Sequence, residues 1–210
     1  MERYVLIAVL AYLLGNVQCA ILLSKFKYHD DIRNHGSGNA GSTNMLRVFG
    51  LKPGLITFAG DFIKGVLAVV MGRLIAGETG AYVASLFVVL GHDFPVFMHF
   101  KGGKGVASTF GIAWMLNPLY AAVVTAYAAI MLYLTRTVAI VSLTGVIVYL
   151  ILALLFQLHN TPFVVLVAIL LMLVTVRHTE NIKRIFTGKE NKLFEKKGKK
   201  DSEKACDQSK

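Results

Sequence analysis

The stretch YVLIAVLAYLLGNVQCAILL, Tyr4–Leu23, runs for twenty residues without a charge. About twenty apolar residues in a helix span a hydrocarbon layer roughly 30 Å thick. The run is too long for a signal-peptide core and ends in no small-residue cleavage site, so it is expected to stay as a helix. Six more apolar runs follow: Gly54–Ile75, Ala81–Met98, Val106–Met115, Leu119–Leu134, Val138–Phe156 and Phe163–Val176. Breaks at Gly77–Gly80, Lys101–Lys104, Asn117-Pro118, Thr135–Thr137 and Gln157–Pro162 separate them, with Pro118 and Pro162 well placed at helix boundaries. With 55% of its 210 residues hydrophobic, the chain reads as all-α, a polytopic integral membrane protein of about seven transmembrane helices.

Seven passes put Lys25–Pro53, His99–Gly105, Thr135–Thr137 and everything from Arg177 on one side. These segments hold 19 of the 22 Lys and Arg residues, the exceptions being Arg3, Lys64 and Arg73. The positive-inside rule then places the N-terminus outside and the C-terminus in the cytoplasm. Val106–Met115 and Phe163–Val176 are short for full crossings. A five-span arrangement, with Val106–Leu134 as one kinked element and the last run docked on the membrane, also keeps the tail inside. Seven is favoured. The residues divide into a single transmembrane domain, 1–192, and a basic, disordered cytoplasmic tail, 193–210. The polar stretch beyond Lys189 is assigned no chemistry and is attracted only to anionic lipid.

Cys19 and Cys206 stand too far apart to pair, so neither a disulfide framework nor a cysteine-rich metal site is expected. The formal charge of +10 is compatible with nucleic-acid binding in sum. Its distribution along the chain favours membrane topology, and no nucleic-acid partner is expected.

Against this apolar background four polar clusters stand out, all on the side that carries the positive charge. The first is Ser37-Gly38-Asn39-Ala40-Gly41-Ser42-Thr43-Asn44-Met45-Leu46-Arg47, rich in glycine, hydroxyls and amides, with one arginine and no acid. Free backbone N–H groups, hydroxyls and a guanidinium together solvate an oxyanion away from water. The second is Asp61 with Lys64, spaced i, i+3 on one helix face, with Gly65 beside them. They lie seven and ten residues into their span, roughly 10 and 15 Å deep at 1.5 Å per residue. A charged pair at that depth is either a buried structural ion pair or part of a functional site. The third runs from Gly91-His92-Asp93-Phe94-Pro95 to Phe100-Lys101-Gly102-Gly103-Lys104-Gly105. It joins cationic donors and a flexible backbone to a helix start, but it is not a Walker A loop. The fourth is Arg177-His178-Thr179-Glu180-Asn181-Ile182-Lys183-Arg184, in which Arg177, His178 and Asn181 can share a helix face.

Together these clusters describe a basic pocket at a membrane interface, suited to a phosphate-bearing substrate. The usual nucleophiles are missing: there is no Gly-x-Ser-x-Gly elbow and no well-placed cysteine. No acidic cluster suits magnesium. None of the six histidines has an aspartate five positions later, since those positions hold Asn34, Ala40, Phe97, Lys104, Val164 and Lys183. The His-x4-Asp pattern of common glycerolipid acyltransferases is therefore absent. Many anion donors and few proton acceptors remain.

The motifs Ser37–Asn44 with Arg47, Asp61-x-x-Lys64-Gly65, Gly91-His92-x-Phe94-Pro95, Phe100–Ala107 and Arg177-His178-x-x-Asn181-Ile182-x-Arg184 resemble those of the bacterial acyl-phosphate:glycerol-3-phosphate acyltransferases, the PlsY family. The similarity runs from about Tyr12 to Lys192. Departures are few. The first span usually continues Gly-Ser-Ile-Pro-Phe where this chain has Gly15-Asn16-Val17-Gln18-Cys19, and Ser42 and Ser108 replace the commoner Ala and Thr.

The resemblance implies a multi-pass enzyme of the bacterial plasma membrane, with seven helices and an active site toward the cytoplasm. It would move a fatty acyl group from acyl-phosphate to the 1-hydroxyl of glycerol 3-phosphate, with no cofactor and no metal. The lipid bilayer and the enzyme supplying acyl-phosphate are its implied partners. Lys104, His178, Asn181, Arg47 and Asn44 are expected at the catalytic centre. Ser37, Gly38, Asn39, Gly41, Ser42, Thr43, Lys101, Gly102, Gly103, Gly105 and Arg177 are expected to bind substrate phosphates, with Asp61, Lys64, Gly65 and His92 in support. The alternative is a transporter of a small phosphorylated metabolite. It would need polar residues through the whole membrane depth, and beyond the N-terminal Glu2 and Arg3 only Arg73 and Glu78 are charged toward the far side.

Overall fold

A computed structural model describes residues 1–193, which fold entirely as helices and connecting turns. The helices are α1 (Glu2–Gly15), α2 (Cys19–Tyr28), α3 (Ser42–Phe49), α4 (Leu51–Asp93), α5 (Val106–Leu116), α6 (Pro118–Thr135), α7 (Val138–Phe156), α8 (Thr161–Arg177) and α9 (Thr179–Phe186). Four stretches are long and apolar enough to cross a membrane: Glu2–Tyr28, Leu51–Met98, Pro118–Thr135 and Val138–Phe156. The pair α8 and α9, bent by 63° at their junction, makes a fifth, while α5 is apolar but shorter. The expected tail lies outside the described residues except for Leu193, whose N–H donates to the Arg136 carbonyl at 2.8 Å.

Helix α4 is a hairpin rather than a rod. Its backbone leaves helical geometry at Ala76 and Gly77, where Gly77 takes φ +63°. The two arms then run back along each other, so close that a Cβ on Gly80 would lie 2.2 Å from the Gly72 carbonyl oxygen. The expected runs Gly54–Ile75 and Ala81–Met98 are these two arms. The same device joins α4 to α5, where a Cβ on Gly65 would meet the Ser108 carbonyl at 2.3 Å and one on Gly111 the Phe62 carbonyl at 2.2 Å. Helices in lipid gain nothing from hiding apolar surface, so close backbone approach and packing hold them together.

The expectation of one unbroken helix over Tyr4–Leu23 is corrected. The chain leaves the helix after Gly15 and re-enters it at Cys19. Opening a helix inside a membrane frees carbonyls that must find donors. Here Lys64 supplies them, bonding Val17 O at 2.7 Å and Gly15 O at 3.3 Å, while Gln18 Nε2 turns to the His92 carbonyl at 2.9 Å.

The buried core is built from Ile7 and Ala11 of α1, Ala68, Val69, Val88 and Val89 of α4, Ile112 of α5, and Leu166 and Leu170 of α8. Outside it, Leu6, Val9, Leu67, Leu74, Ile130, Ile147 and Leu155 are exposed from α1, α4, α6 and α7. A continuous belt of such residues is stable only against hydrocarbon. The protein is an integral membrane protein.

Candidate active site

The four polar clusters, spread over more than 140 residues, converge on one cavity of about 200 Å³. Ser37, Asn39, Gly41, Ser42, Thr43, Asn44 and Arg47 form one wall, while Lys104 and Gly105 form another. His178, Asn181 and Arg184 close it from the α8–α9 junction, and Asp61 and His92 reach it from the two arms of α4. Phe58, Val106, Val138 and Ser142 line this cavity and also a second, apolar one of about 400 Å³ between α5, α6, α7 and α8. The two cavities therefore meet at shared walls, one polar and one oily.

The Ser37–Thr43 loop owes its shape to Asn44. This buried amide donates to the carbonyls of His35 at 2.9 Å, Asn39 at 3.1 Å and Ile32 at 3.2 Å, and accepts from Ser37 N–H at 2.9 Å. Gly38, at φ +71°, turns the chain so that these groups can face inward. Helix α3 begins at Ser42, directly beside the cavity. The unbonded N–H groups of a first helical turn attract anions, and the Ser42 and Thr43 hydroxyls stand next to them. Asn44 was expected at the catalytic centre, either to hold the loop or to donate to a substrate. Its amide is committed to the loop, and it shapes the wall rather than donating from it.

Lys104 spans to the opposite side and donates to Asn181 Oδ1. Asn181 Nδ2 donates in turn to Glu190 Oε1 at 2.8 Å, and Arg184 Nε donates to Glu190 Oε2 at 2.8 Å. Burial and the nearby Arg184 pull the Lys104 ammonium down to about 8, against the opposing pull of Glu190. The Arg47 guanidinium is lowered in the same way by burial, with Glu190 resisting and Arg184 adding to it. Half-buried cations held this close together make a site that an anion would relieve.

His178 donates from Nδ1 to the Val174 carbonyl at 2.8 Å, because a carbonyl can only accept. The lone pair of the neutral ring is then on Nε2. Arg177 was expected to bind phosphate, but it does not line the cavity. Its Nε and Nη2 donate to the Gly103 carbonyl at 2.9 and 2.8 Å, and Nη2 donates to Gly102 at 3.1 Å. It stacks on Phe94, 5.1 Å from the ring centre. Arg177 thus locks the turn that presents Lys104. Gly102 and Gly103 pack under it against His92, and a Cβ on Gly103 would sit 2.1 Å from His92 Nε2. Lys101, also expected to bind phosphate, is exposed and does not line the cavity. Lys64 and Gly65 lie behind the site, the one clipping the α1 break and the other holding α5 close.

Sequence reasoning missed Glu190, Asn191 and Ser142, all of which line the cavity. The stretch beyond Lys189 carries more than lipid attraction, since the chain reverses at Gly188, φ +67°, and returns Glu190 to α9. An acid in a lysine-rich tail gives no local signal of that return.

The family model for glycerol-3-phosphate acyltransferases matches residues 5–188. The glycerol-3-phosphate acyltransferase of Thermoanaerobacter pseudethanolicus is 42% identical over 192 residues, covering 91% of this chain and 96% of its own. That of Bacillus subtilis is 40% identical over 191 residues, covering 90% and 96%. Among solved structures, PlsY (YgiH), an integral membrane glycerol 3-phosphate acyltransferase, superposes in its glycerol 3-phosphate form with a TM-score of 0.85 at 32% identity, over 90% of this chain and 94% of that one. Its lysophosphatidic acid form gives 0.81 at 31% identity. With its motifs gathered in one cavity between its helices and residues 5–188 matched, the chain belongs to the PlsY family of glycerol-3-phosphate acyltransferases.

Proposed function

We propose that the protein transfers a fatty acyl group from acyl-phosphate to the 1-hydroxyl of sn-glycerol 3-phosphate. The products are 1-acylglycerol 3-phosphate and inorganic phosphate, and the reaction is the first committed step of bacterial phospholipid synthesis. The observation that carries this reading is the junction of a cation-lined polar cavity with an apolar one at Phe58, Val106, Val138 and Ser142. A donor with a phosphate head and a fatty tail fits across such a junction with its reactive carbonyl at the boundary.

Acyl-phosphate is a mixed anhydride, so its phosphate departs without strong acid assistance. The chain then needs mainly to position two phosphates and to stabilise charge that develops on oxygen. The Ser37–Thr43 backbone and hydroxyls hold the acyl-phosphate head, with Lys104 beside them. Arg47, Lys104 and Asn181 clamp the phosphate of glycerol 3-phosphate. His178 offers its Nε2 lone pair to the 1-hydroxyl and orients it. The hydroxyl oxygen bonds to the acyl carbon, the bond from that carbon to the phosphate oxygen breaks, and the hydroxyl proton passes by way of His178 Nε2 to a phosphate oxygen of the substrate. The acyl chain occupies the cavity between α5, α6, α7 and α8.

The same reading includes seven crossings, an outside N-terminus and a cavity facing the cytoplasm of a bacterial plasma membrane. The 19 Lys and Arg residues on one side support that orientation, and an enzyme that makes acyl-phosphate would work alongside. Transport of a small phosphorylated metabolite fits less well, because a lipid-sized apolar cavity serves no purpose for it.

The test uses purified protein in detergent with palmitoyl phosphate and glycerol 3-phosphate, following phosphate release and lysophosphatidic acid. Parallel reactions offer acyl-CoA and acyl carrier protein as donors. Turnover with acyl-phosphate alone is expected. Folded protein that makes no lysophosphatidic acid from acyl-phosphate would sink the proposal, and turnover with a thioester donor would reassign the donor.

A further inference from the structure

His92 enters the polar cavity from the second arm of α4 and is 3% exposed. Its Nδ1 lies 2.6 Å from the Lys64 amine, itself 3% exposed. Around the same amine stand Val17 O at 2.7 Å, Asp61 Oδ1 at 2.8 Å and Gly15 O at 3.3 Å. Two of these are carbonyls that accept its N–H bonds, and the carboxylate is its charge partner, with no hydrogen bond to Oδ1. A neutral amine has only two N–H bonds and needs a donor for its lone pair, whereas an ammonium has three N–H bonds and no lone pair. Two carbonyl acceptors and a carboxylate 2.8 Å away favour the ammonium, whose third N–H is left for His92. His92 Nδ1 must then accept too, and the single N–H of the neutral ring is on Nε2.

We infer that Lys64 is a positioning residue that fixes His92 as its Nε2–H tautomer, and that His92 donates this N–H to an oxygen of the phosphate-bearing substrate in the cavity. The second half rests on the acyl-transfer reading above; the first half does not. No protein acceptor meets Nε2 among the described residues, and the backbone of His92 is held from two directions. Its carbonyl accepts from Gln18 Nε2 at 2.9 Å and from Gly103 N–H at 3.1 Å. His178 shows the opposite arrangement, with Nδ1 bound to the Val174 carbonyl and Nε2 free to accept. One cavity thus holds two neutral histidines of opposite polarity, His178 receiving from the nucleophile and His92 giving to the oxyanion. In this tautomer Nε2 of His92 has no lone pair, so His92 does not serve as the base.

The experiment labels the histidines with 15N and records long-range proton–nitrogen correlations on the full chain in detergent, with His92 assigned by its loss in His92→Gln. In the wild type, Nδ1 of His92 should show the unprotonated nitrogen shift and Nε2 the protonated one, and Lys64→Met should abolish that preference. The opposite pattern in the wild type overturns the tautomer assignment, even if Lys64→Met fails to fold. Activity tests the donor role. Glutamine keeps an N–H and an oxygen that Lys64 can bond, so His92→Gln should stay within about tenfold of wild-type kcat/KM, while His92→Leu falls by about 100-fold or more. Equal losses in both, at unchanged helical content and Tm, overturn the donor role. A wild type that transfers no acyl group overturns the functional reading and leaves the spectroscopic result standing.

Discussion

Lys104 donates its N–H to the side-chain oxygen of Asn181 across 77 residues of sequence, tying the loop before α5 to the short helix α9. Neither residue makes this contact within its own element, so the bond measures whether the two walls of the cavity are in register. Lys104→Ala and Asn181→Ala should each lower kcat/KM by about 100-fold to 1000-fold, the usual loss for a charge-stabilising donor, with helical content retained. Near-normal rates in either variant would refute the clamp.

A lysine held near 8 loses its charge in an accessible range of pH. Its pKa is lowered, so the cation is complete below that value and disappears as pH rises through it. At limiting glycerol 3-phosphate, kcat/KM should hold level up to about pH 7.5 and then fall toward tenfold per unit above about 8. Lys104→Arg keeps its charge throughout, and whatever activity it retains should show no such fall.

Glu190 sits on Asn181 and Arg184, close enough to Lys104 and Arg47 to act on their charge, and among the described residues is the only acid in the polar cavity besides Asp61. Its carboxylate competes with an incoming phosphate for the same donors. Glu190→Gln preserves the shape and removes the charge, so inorganic phosphate should inhibit this variant about threefold to tenfold more strongly. Weaker inhibition would mean that Glu190 holds the cations in place rather than opposing the anion.

Gly145 of α7 lines the apolar cavity, and a Cβ there would meet only Val124 Cγ1, at an ordinary 3.5 Å. Gly145→Leu should fill space meant for chain carbons. With each lost methylene contact costing about 0.8 kcal/mol, kcat/KM for palmitoyl phosphate should drop about tenfold or more while decanoyl phosphate is spared. A uniform loss over donor lengths would place the tail elsewhere.

Gly111→Val tests the packing rather than the chemistry. Its Cβ would fall 2.2 Å from the Phe62 carbonyl, so α4 and α5 must separate. Thermal unfolding in detergent should show a loss of about 1–3 kcal/mol, and Gly188→Ala, at a site with open space, should show less than Gly111→Val.

Much of the architecture was legible because lipid imposes a coarse rule on composition. The runs Gly54–Ile75 and Ala81–Met98 announced the two arms of α4, and Gly77 announced their turn. The site residues were legible by type, since Ser42, Thr43, Arg47, Lys104 and Asn181 are all donors on the side of the membrane that carries the positive charge. The break at Asn16–Gln18 was not. Its cause is Lys64, 47 residues from the Val17 carbonyl that it satisfies, and hydropathy cannot register a partner at that distance. Nor was the structural part of Arg177 legible, because like Lys104 it is a cation in a polar motif and was read as binding substrate. Only the Gly102 and Gly103 carbonyls show that one builds the turn that presents the other.

Asn44 ties Ile32, His35, Ser37 and Asn39 together at once, through hydrogen bonds made entirely within the protein. A free segment so rich in glycine would lose about 1–2 kcal/mol of conformational entropy per residue each time it closed on a phosphate. Here that ordering is completed once, when the chain folds, and is not repeated at every turnover. In the proposed reaction the cradle therefore works as a mould and not as a lid, already shaped when a phosphate reaches it.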